Sequence, residues 1–363
     1  MRHTGILADY DIEKLMTAQN IYSKDTIEKK QIQPASLDLR LGAKAYRVCA
    51  SFLPGPQSTV LQKLSAFSLY EIDLEEGAIL EPGAVYIVPL LEYLQLPDNI
   101  CAHGNPKSST GRLDIFTRLV CDYSHRFDAI ACGYEGPLYL EISPKSFPIC
   151  VRKYSSLSQI RFAIGDTKIK EAELSLLHQE YKLTNNENFL QNGAVSLSID
   201  LNGAGTDIIG YRAKKYRFAI DVDVVAQASI ADYWEPIYGN ASNGLVLDPG
   251  EFYIFSSCET VYIPPCCAAE MVPFDPAIGE FRVHYAGFFD PGFGQRTSEE
   301  EGSRVVLEVR SRDVPFIVEH GQIVGHLLYE HMLREPKILY GAQKGSHYQM
   351  QGLKLSKHFR MED

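Results

Sequence analysis

The feature that most constrains this chain is its resemblance to itself. Residues 81–97, EPGAVYIVPLLEYLQLP, lie over residues 248–264, DPGEFYIFSSCETVYIP, without a gap at a spacing of 167. Pro82 and Pro249, Gly83 and Gly250, Tyr86 and Tyr253, Ile87 and Ile254, Glu92 and Glu259, and Pro97 and Pro264 are identical pairs. The spacing returns where LEI at 140–142 lies over LEV at 307–309, and again at Pro148 over Pro315. Upstream, SLDLRL at 36–41 matches SLSIDL at 196–201. Three blocks in one order define two copies of a domain, roughly residues 34–162 and 194–330.

Each copy is punctuated by Gly and Pro, with runs such as AVYIVPL and EFYIFSS between them. Val, Ile, Tyr and Phe suit a pleated, half-buried surface, so the runs predict short strands of a barrel or sandwich. Two stretches break this pattern. Residues 9–19 predict a helix with Asp9 as N-cap and Ile12, Leu15 and Met16 as its apolar stripe. Residues 168–182, KIKEAELSLLHQEYK, predict a second helix. The expected division is a first β domain with its leading helix at 1–165, a helical linker at 166–193, a second β domain at 194–335 and a tail at 336–363.

Charge limits the partners. A formal net charge of −11 argues against general binding to nucleic acid or an acidic membrane. Any anionic ligand must be met by a local cluster. No apolar run approaches the ~20 residues of a membrane span, and residues 1–10 lack a signal-peptide core. The eight cysteines are scattered and form no CxxC pair, which predicts reduced thiols in a cytoplasmic protein.

Three motifs carry chemistry. PKSSTGRLD at 106–114 is either a polar turn or a phosphate site in which serine hydroxyls and loop N–H groups donate and Lys107 and Arg112 supply charge. It is not a P-loop, because the G-x-x-x-x-G-K-[ST] order is absent. AGFFDPGFG at 286–294 predicts a hairpin turn and leads on to Glu308, a lone acid between Leu307 and Val309. Strand alternation would send Glu308 to solvent, while an apolar pocket would raise its pKa. The tail YGAQKGSHYQMQG at 340–352 is either a loose terminus or an arm that closes over an anionic ligand.

Taken together, PKSSTGR, the Asp-Pro-Gly-Phe turn leading to Leu-Glu, the Pro34-Ala35-Ser36-Leu37-Asp38-Leu39 block and the Tyr-Gln-x-Gln tail resemble the dCTP deaminases. That family shares a superfamily with dUTP diphosphatases, and the double length resembles the fused bacterial form. The resemblance implies a distorted dUTPase-like β-barrel in each copy and hydrolysis of dCTP to dUTP and ammonia without a metal-bound water. It implies Mg2+ on the triphosphate, dTTP as an inhibitor, and a homo-oligomer with a three-fold arrangement. Ser108 and Arg112 match the residues that hold the attacking water, and Lys107 and Ser109 match phosphate-binding positions, Lys107 replacing the more usual arginine. Asp290 matches the aspartate on the sugar 3′-hydroxyl, with Phe293 beside it, and Asp128 stands in the corresponding window of the first copy. In the tail, Tyr340, Lys344, His347, Tyr348, Gln349 and Gln351 are the candidate ligand contacts. His347 stands where the family has lysine.

The copies have lost different parts. The first keeps Lys107, Ser108, Ser109 and Arg112 but lacks Asp-Pro-Gly; the second keeps the hairpin but reads PFDPAIGEF in the Ser-Ser window. This favours one kind of composite site, with Glu308 as acid/base and Ser108 and Arg112 reaching across. Glu141, at the equivalent position in the first copy, is the alternative. Zinc chemistry would need H-x-E and P-C-x-x-C; His178-Gln179-Glu180 supplies the first half, but Ala269 stands where a cysteine is required. A dUTP diphosphatase, a bifunctional enzyme and a non-catalytic nucleotide-binding protein are the competing readings. A glutamate suited to moving protons favours deamination over the first.

Overall fold

The structure is a computed structural model that describes residues 3–187, 190–191, 193–203, 206–239, 244–273, 281–284, 287–295, 302–311, 313–342, 348–349 and 351–360. Lys344 and His347 lie outside the described residues. The chain is mostly β, and each copy is a pair of antiparallel sheets over an apolar core. In the first copy, Val85–Gln95 pairs with Lys44–Val48 on one side and Glu135–Pro144 on the other. In the second, Phe252–Val261 sits likewise between Ile208–Ala213 and Ser303–Ser311.

The identical residues of the repeat do identical work. The Tyr86 hydroxyl accepts from the Glu81 N–H at 3.1 Å, and the Tyr253 hydroxyl from the Asp248 N–H at 3.0 Å. Gly83 and Gly250 turn the chain at φ +78° and +74°, where a side chain would be strained. Glu92 accepts from the Arg40 N–H at 2.9 Å, and Glu259 from the Ser198 N–H at 2.8 Å.

Those last contacts correct one alignment. Arg40 and Ser198 are equivalent, as are the bridges Leu41–Leu90 and Ile199–Ser257. The upstream blocks therefore match two residues away from the SLDLRL and SLSIDL register. A slip of two leaves every side chain on its own face, so the pattern looked the same.

The copies are interwoven. Ile220–Asp221, from an insert of the second copy, pairs in parallel with Ile149–Val151 of the first. Arg152 clamps that insert with bonds of 2.6 Å to Asp221 and 2.7 Å to Asp223. The first core accordingly includes Trp234, Phe252, Ile254 and Val306 from the second copy. The helix predicted in the linker forms at Glu171–Tyr181 and belongs to the second core through Leu174.

Three expectations change. The first helix, Asp9–Thr17, is capped by Ala8, not Asp9. The Asp9 carboxylate instead accepts from the Lys337 and Ile338 N–H groups at 3.1 and 3.3 Å, tying the start of the tail to the N-terminal helix. Cys101 and Cys132 are joined as a disulfide, whereas the sequence predicted free thiols throughout. The end of the tail is not loose: Phe359–Arg360 pairs with Ala228–Ser229, and Leu355 and Phe359 join the first core. These apolar residues follow residue 352, beyond the polar stretch that reads as a loose terminus or a closing arm. Among the described residues, no helix is long and apolar enough to cross a membrane.

Candidate active site

A cavity of about 650 Å³ opens between the copies, and both line it. The first contributes Lys107, Ser108, Ser109 and Arg112; the second contributes Asp290, Phe293 and Glu308, and the tail adds Tyr340, Tyr348 and Gln351. Residues that lie far apart in sequence are thus brought to one cavity.

The serine loop is held from below. Ile100–Pro106 runs into a single helical turn, Ser108–Gly111, with Lys107 as N-cap. The Lys107 N–H and the Thr110 hydroxyl both donate to the Leu157 carbonyl, at 3.0 and 2.8 Å. Two residues beyond Arg112, the buried Asp114 accepts from Ser146 Oγ at 2.6 Å and from Arg310. Arg310 lies two residues from Glu308 on Ser303–Ser311, so this pair fastens the glutamate strand to the serine loop. Neither residue was singled out in the sequence, because an acid and a base on different copies carry no local motif.

Glu308 is buried, and burial pushes its carboxyl up to about 8, with Arg112 pulling the other way. Arg112 Nε stands 3.9 Å from Glu308 Oε1. The guanidinium lies 3.9 Å from the centre of the Tyr348 ring and donates to the Lys354 carbonyl at 2.9 Å. A cation held between an aromatic face and a buried acid is fixed in direction as well as charge.

Glu141 has a different environment. It accepts from Arg118 Nη2 at 2.6 Å and from Nε at 2.9 Å, and it is not among the cavity residues. The equivalent ladder position facing Glu308 is His284. Asp128 is also elsewhere. Its carboxylate accepts from the Leu119 N–H at 2.7 Å, and burial pushes it up to about 7. By the pairing of Ile130 with Ala102 and of Phe289 with Ala269, the first-copy counterpart of Asp290 is Ala131, not Asp128.

The hairpin is shaped by its own backbone and by the tail. Gly292 adopts φ +95°, and a Cβ there would come within 2.7 Å of Leu339 Cβ. Gln349 donates to the Gly292 carbonyl at 3.0 Å and accepts from the Gly294 N–H at 3.1 Å. Both ends of its amide are thus spent on the hairpin, not on the cavity. Gln351 does line the cavity and donates to the Arg304 carbonyl at 3.3 Å. The cation sought at positions 344 and 347 has a described counterpart in Lys357, which lines the cavity with Lys107. Burial lowers the Lys357 ammonium, and the charge of Lys107 lowers it further. Lys107 is ion-paired with Asp38, so an anion reaching these two ammonium groups would share them with that carboxylate.

The sequence showed no metal-ligand spacing, but the fold brings ligand atoms of Asp200, Cys258 and His320 within 4.8 Å of one another. None of them lines the cavity. Asp200 is already engaged by Arg304 at 2.7 Å, and His320 Nδ1 accepts from the Leu201 N–H at 3.2 Å.

A cleft of mixed polar and apolar lining that holds a buried glutamate and a cationic, hydroxyl-rich loop has the features of a nucleotide-converting hydrolase site. The comparisons give the family. Residues 3–166 match the 2'-deoxycytidine 5'-triphosphate deaminase (DCD) N-terminal domain, and residues 170–359 match its C-terminal domain. The chain belongs to the dCTP deaminase family. A "dCTP deaminase, dUMP-forming" of Methanosphaera stadtmanae is 34% identical over 142 residues, which are 38% of this chain and 68% of that protein. A dCTP deaminase of Alteromonas mediterranea is 29% identical over 185 residues, 48% of this chain and 90% of that protein. The crystal structure of 2'-deoxycytidine 5'-triphosphate deaminase from Agrobacterium tumefaciens superimposes with a TM-score of 0.90 at 57% identity, covering 94% of this chain and 99% of that one.

Proposed function

We propose that this protein deaminates dCTP to dUTP and ammonia in the cavity between its copies. The observation that supports this most is the buried Glu308 beside Arg112, its carboxyl pushed up to about 8. A carboxyl that exchanges its proton near neutral pH suits a reaction in which one group must both take and give protons.

The steps balance on this carboxyl. Glu308 gives its proton to N3 of the ring and takes one from the water as the water oxygen adds to C4, so the tetrahedral centre forms with the carboxyl protonated again. The remaining hydroxyl proton then travels by the same carboxyl to the amino group. Ammonia leaves, and C4 keeps the water oxygen as a carbonyl. Ser108 and Arg112 hold the water and the developing charge. Lys107, Ser109 and Lys357 receive the triphosphate, with Mg2+ entering as part of the nucleotide, and Asp290 meets the sugar hydroxyl. No protein-held zinc is assigned a step, because Glu308, Ser108 and Arg112 supply the proton transfer and the water site.

Chromatography of the products from purified protein and dCTP tests this directly. dUTP with one ammonia per turnover supports the reading. dUMP as the first product would assign the further cleavage named for the Methanosphaera relative, and unchanged dCTP would overturn deamination.

A further inference from the structure

Arg161 lies on the strand Ser158–Ile164 of the first copy, yet its four described side-chain hydrogen bonds all end in the second. It donates to the Ala269 and Phe289 carbonyls at 3.1 and 3.3 Å, to Asp290 Oδ1 at 3.2 Å and to Glu330 Oε2 at 3.4 Å. The guanidinium also lies 4.0 Å from the centre of the Phe288 ring. It is 2% exposed. Ala269, Phe289 and Glu330 belong to three neighbouring strands of one sheet, so a single side chain fixes the strand leading into the hairpin against the two behind it. At the repeat spacing of 167, the second copy has Leu328 in this place, which cannot bridge anything by hydrogen bonds. The arginine is therefore a feature of the one cavity that keeps Asp290, not of the fold in general.

We propose that Arg161 is a positioning residue for sugar recognition, holding the Asp290 carboxylate at the cavity wall so that the site selects a nucleotide with a free 3′-hydroxyl. The proposal rests on the reading of Asp290 as the sugar-binding carboxylate. Using Oδ1 for Arg161 leaves Oδ2 for a ligand hydroxyl. Asp290 is also buried, which penalises its charged form, and Arg161 offsets that penalty. The negative charges around the guanidinium are Asp290 and Glu330, with Glu270 nearby, itself occupied by His103 and Asn105 at 3.2 Å each. Arg161 thus answers the acids on this side, and its loss would free Asp290 to turn away or take up a proton.

The test compares dCTP with 2′,3′-dideoxy-CTP, which lacks only the hydroxyl in question. The wild-type protein should favour dCTP in kcat/KM by at least about tenfold, the scale of a hydrogen bond to a charged group. Asp290→Ala should bring that ratio close to one. Arg161→Gln should shrink it nearly as far, mainly by raising KM for dCTP while the dideoxy substrate is little changed. Because both substrates report on one preparation, a partly unfolded sample leaves the ratio intact. Arg161→Lys keeps the charge but cannot span four acceptors, and an intermediate ratio is expected. A wild-type ratio in Arg161→Gln, or in Arg161→Lys should the first variant not fold, overturns the positioning role. An unchanged ratio in Asp290→Ala overturns the sugar reading itself.

Discussion

Arg112 of the first copy and Glu308 of the second meet inside the protein, Nε 3.9 Å from Oε1, with both side chains almost wholly buried. Across the pseudo-repeat, Glu141 meets Arg118 at 2.6 Å through two hydrogen bonds. One acid is close enough to an arginine to be steered and far enough to titrate. The other is locked as an ion pair.

These two geometries predict opposite outcomes. Glu308→Gln should lower kcat for dCTP by about 10²- to 10⁴-fold, the usual contribution of a positioned acid–base group. Glu141→Gln should leave kcat within a few-fold of wild type while costing about 1–3 kcal/mol of stability, because Arg118 loses its partner. Ammonia release and urea unfolding on the same samples measure both. The reverse pattern would move the chemistry to the first copy.

Stability should depend on pH through Glu308. In the unfolded chain this carboxyl loses its proton near its ordinary value of 4.5, but in the fold it keeps the proton up to about 8. Between those limits the native state binds more protons, so stability falls as pH rises. Glu308→Gln removes the penalty. It should be more stable than wild type at pH 7, by on the order of 3 kcal/mol at most, and melt at a correspondingly higher temperature. The advantage should fade towards pH 5. An equal gap at both pH values would show that Glu308 is not desolvated as described.

The clamp between Asp114 and Arg310 joins the serine loop to the glutamate strand. Asp114→Asn should take the carboxylate partner from a half-buried guanidinium, costing about 1–3 kcal/mol. It should also reduce turnover by letting Glu308 drift from Arg112. Pairing it with Arg310→Met should recover stability but not turnover. Urea melts combined with single-turnover rates separate the two effects.

The tail is load-sharing in the fold as well as near the cavity. Phe359 packs against Tyr233 and Trp234 with ring centres 5.6 and 5.8 Å apart. Phe359→Ala should cost about 3–5 kcal/mol. Deleting residues 353–363 should lower the melting temperature and impair turnover together, with intrinsic Trp fluorescence reporting the change at Trp234. A truncated protein as stable as the full chain would mean that the strand Phe359–Arg360 contributes nothing.

What the sequence determined by itself is what short-range pattern can write. Alternating Tyr, Ile and Val between Pro-Gly turns dictates strands, because the pleat has a period of two and the turns need glycine at positive φ. The repeat of those turns dictates two copies. Complementary loss also made the composite cavity legible, since Ser108 and Arg112 survive in one copy and Asp290 and Glu308 lie in the other. Tertiary structure decided the rest. Glu141 and Glu308 both follow leucine in equivalent strands, and nothing local distinguishes them. Their difference comes from Arg118 on an adjacent strand and from Arg112 on the other copy. The same holds for Gln349, turned to the hairpin backbone, for Lys357, brought to the cavity by the returning tail, and for Arg161, whose acceptors all lie in the second copy. Charge, desolvation and hydrogen bonding act over a few ångströms of space, and only the folded chain sets which residues those ångströms contain.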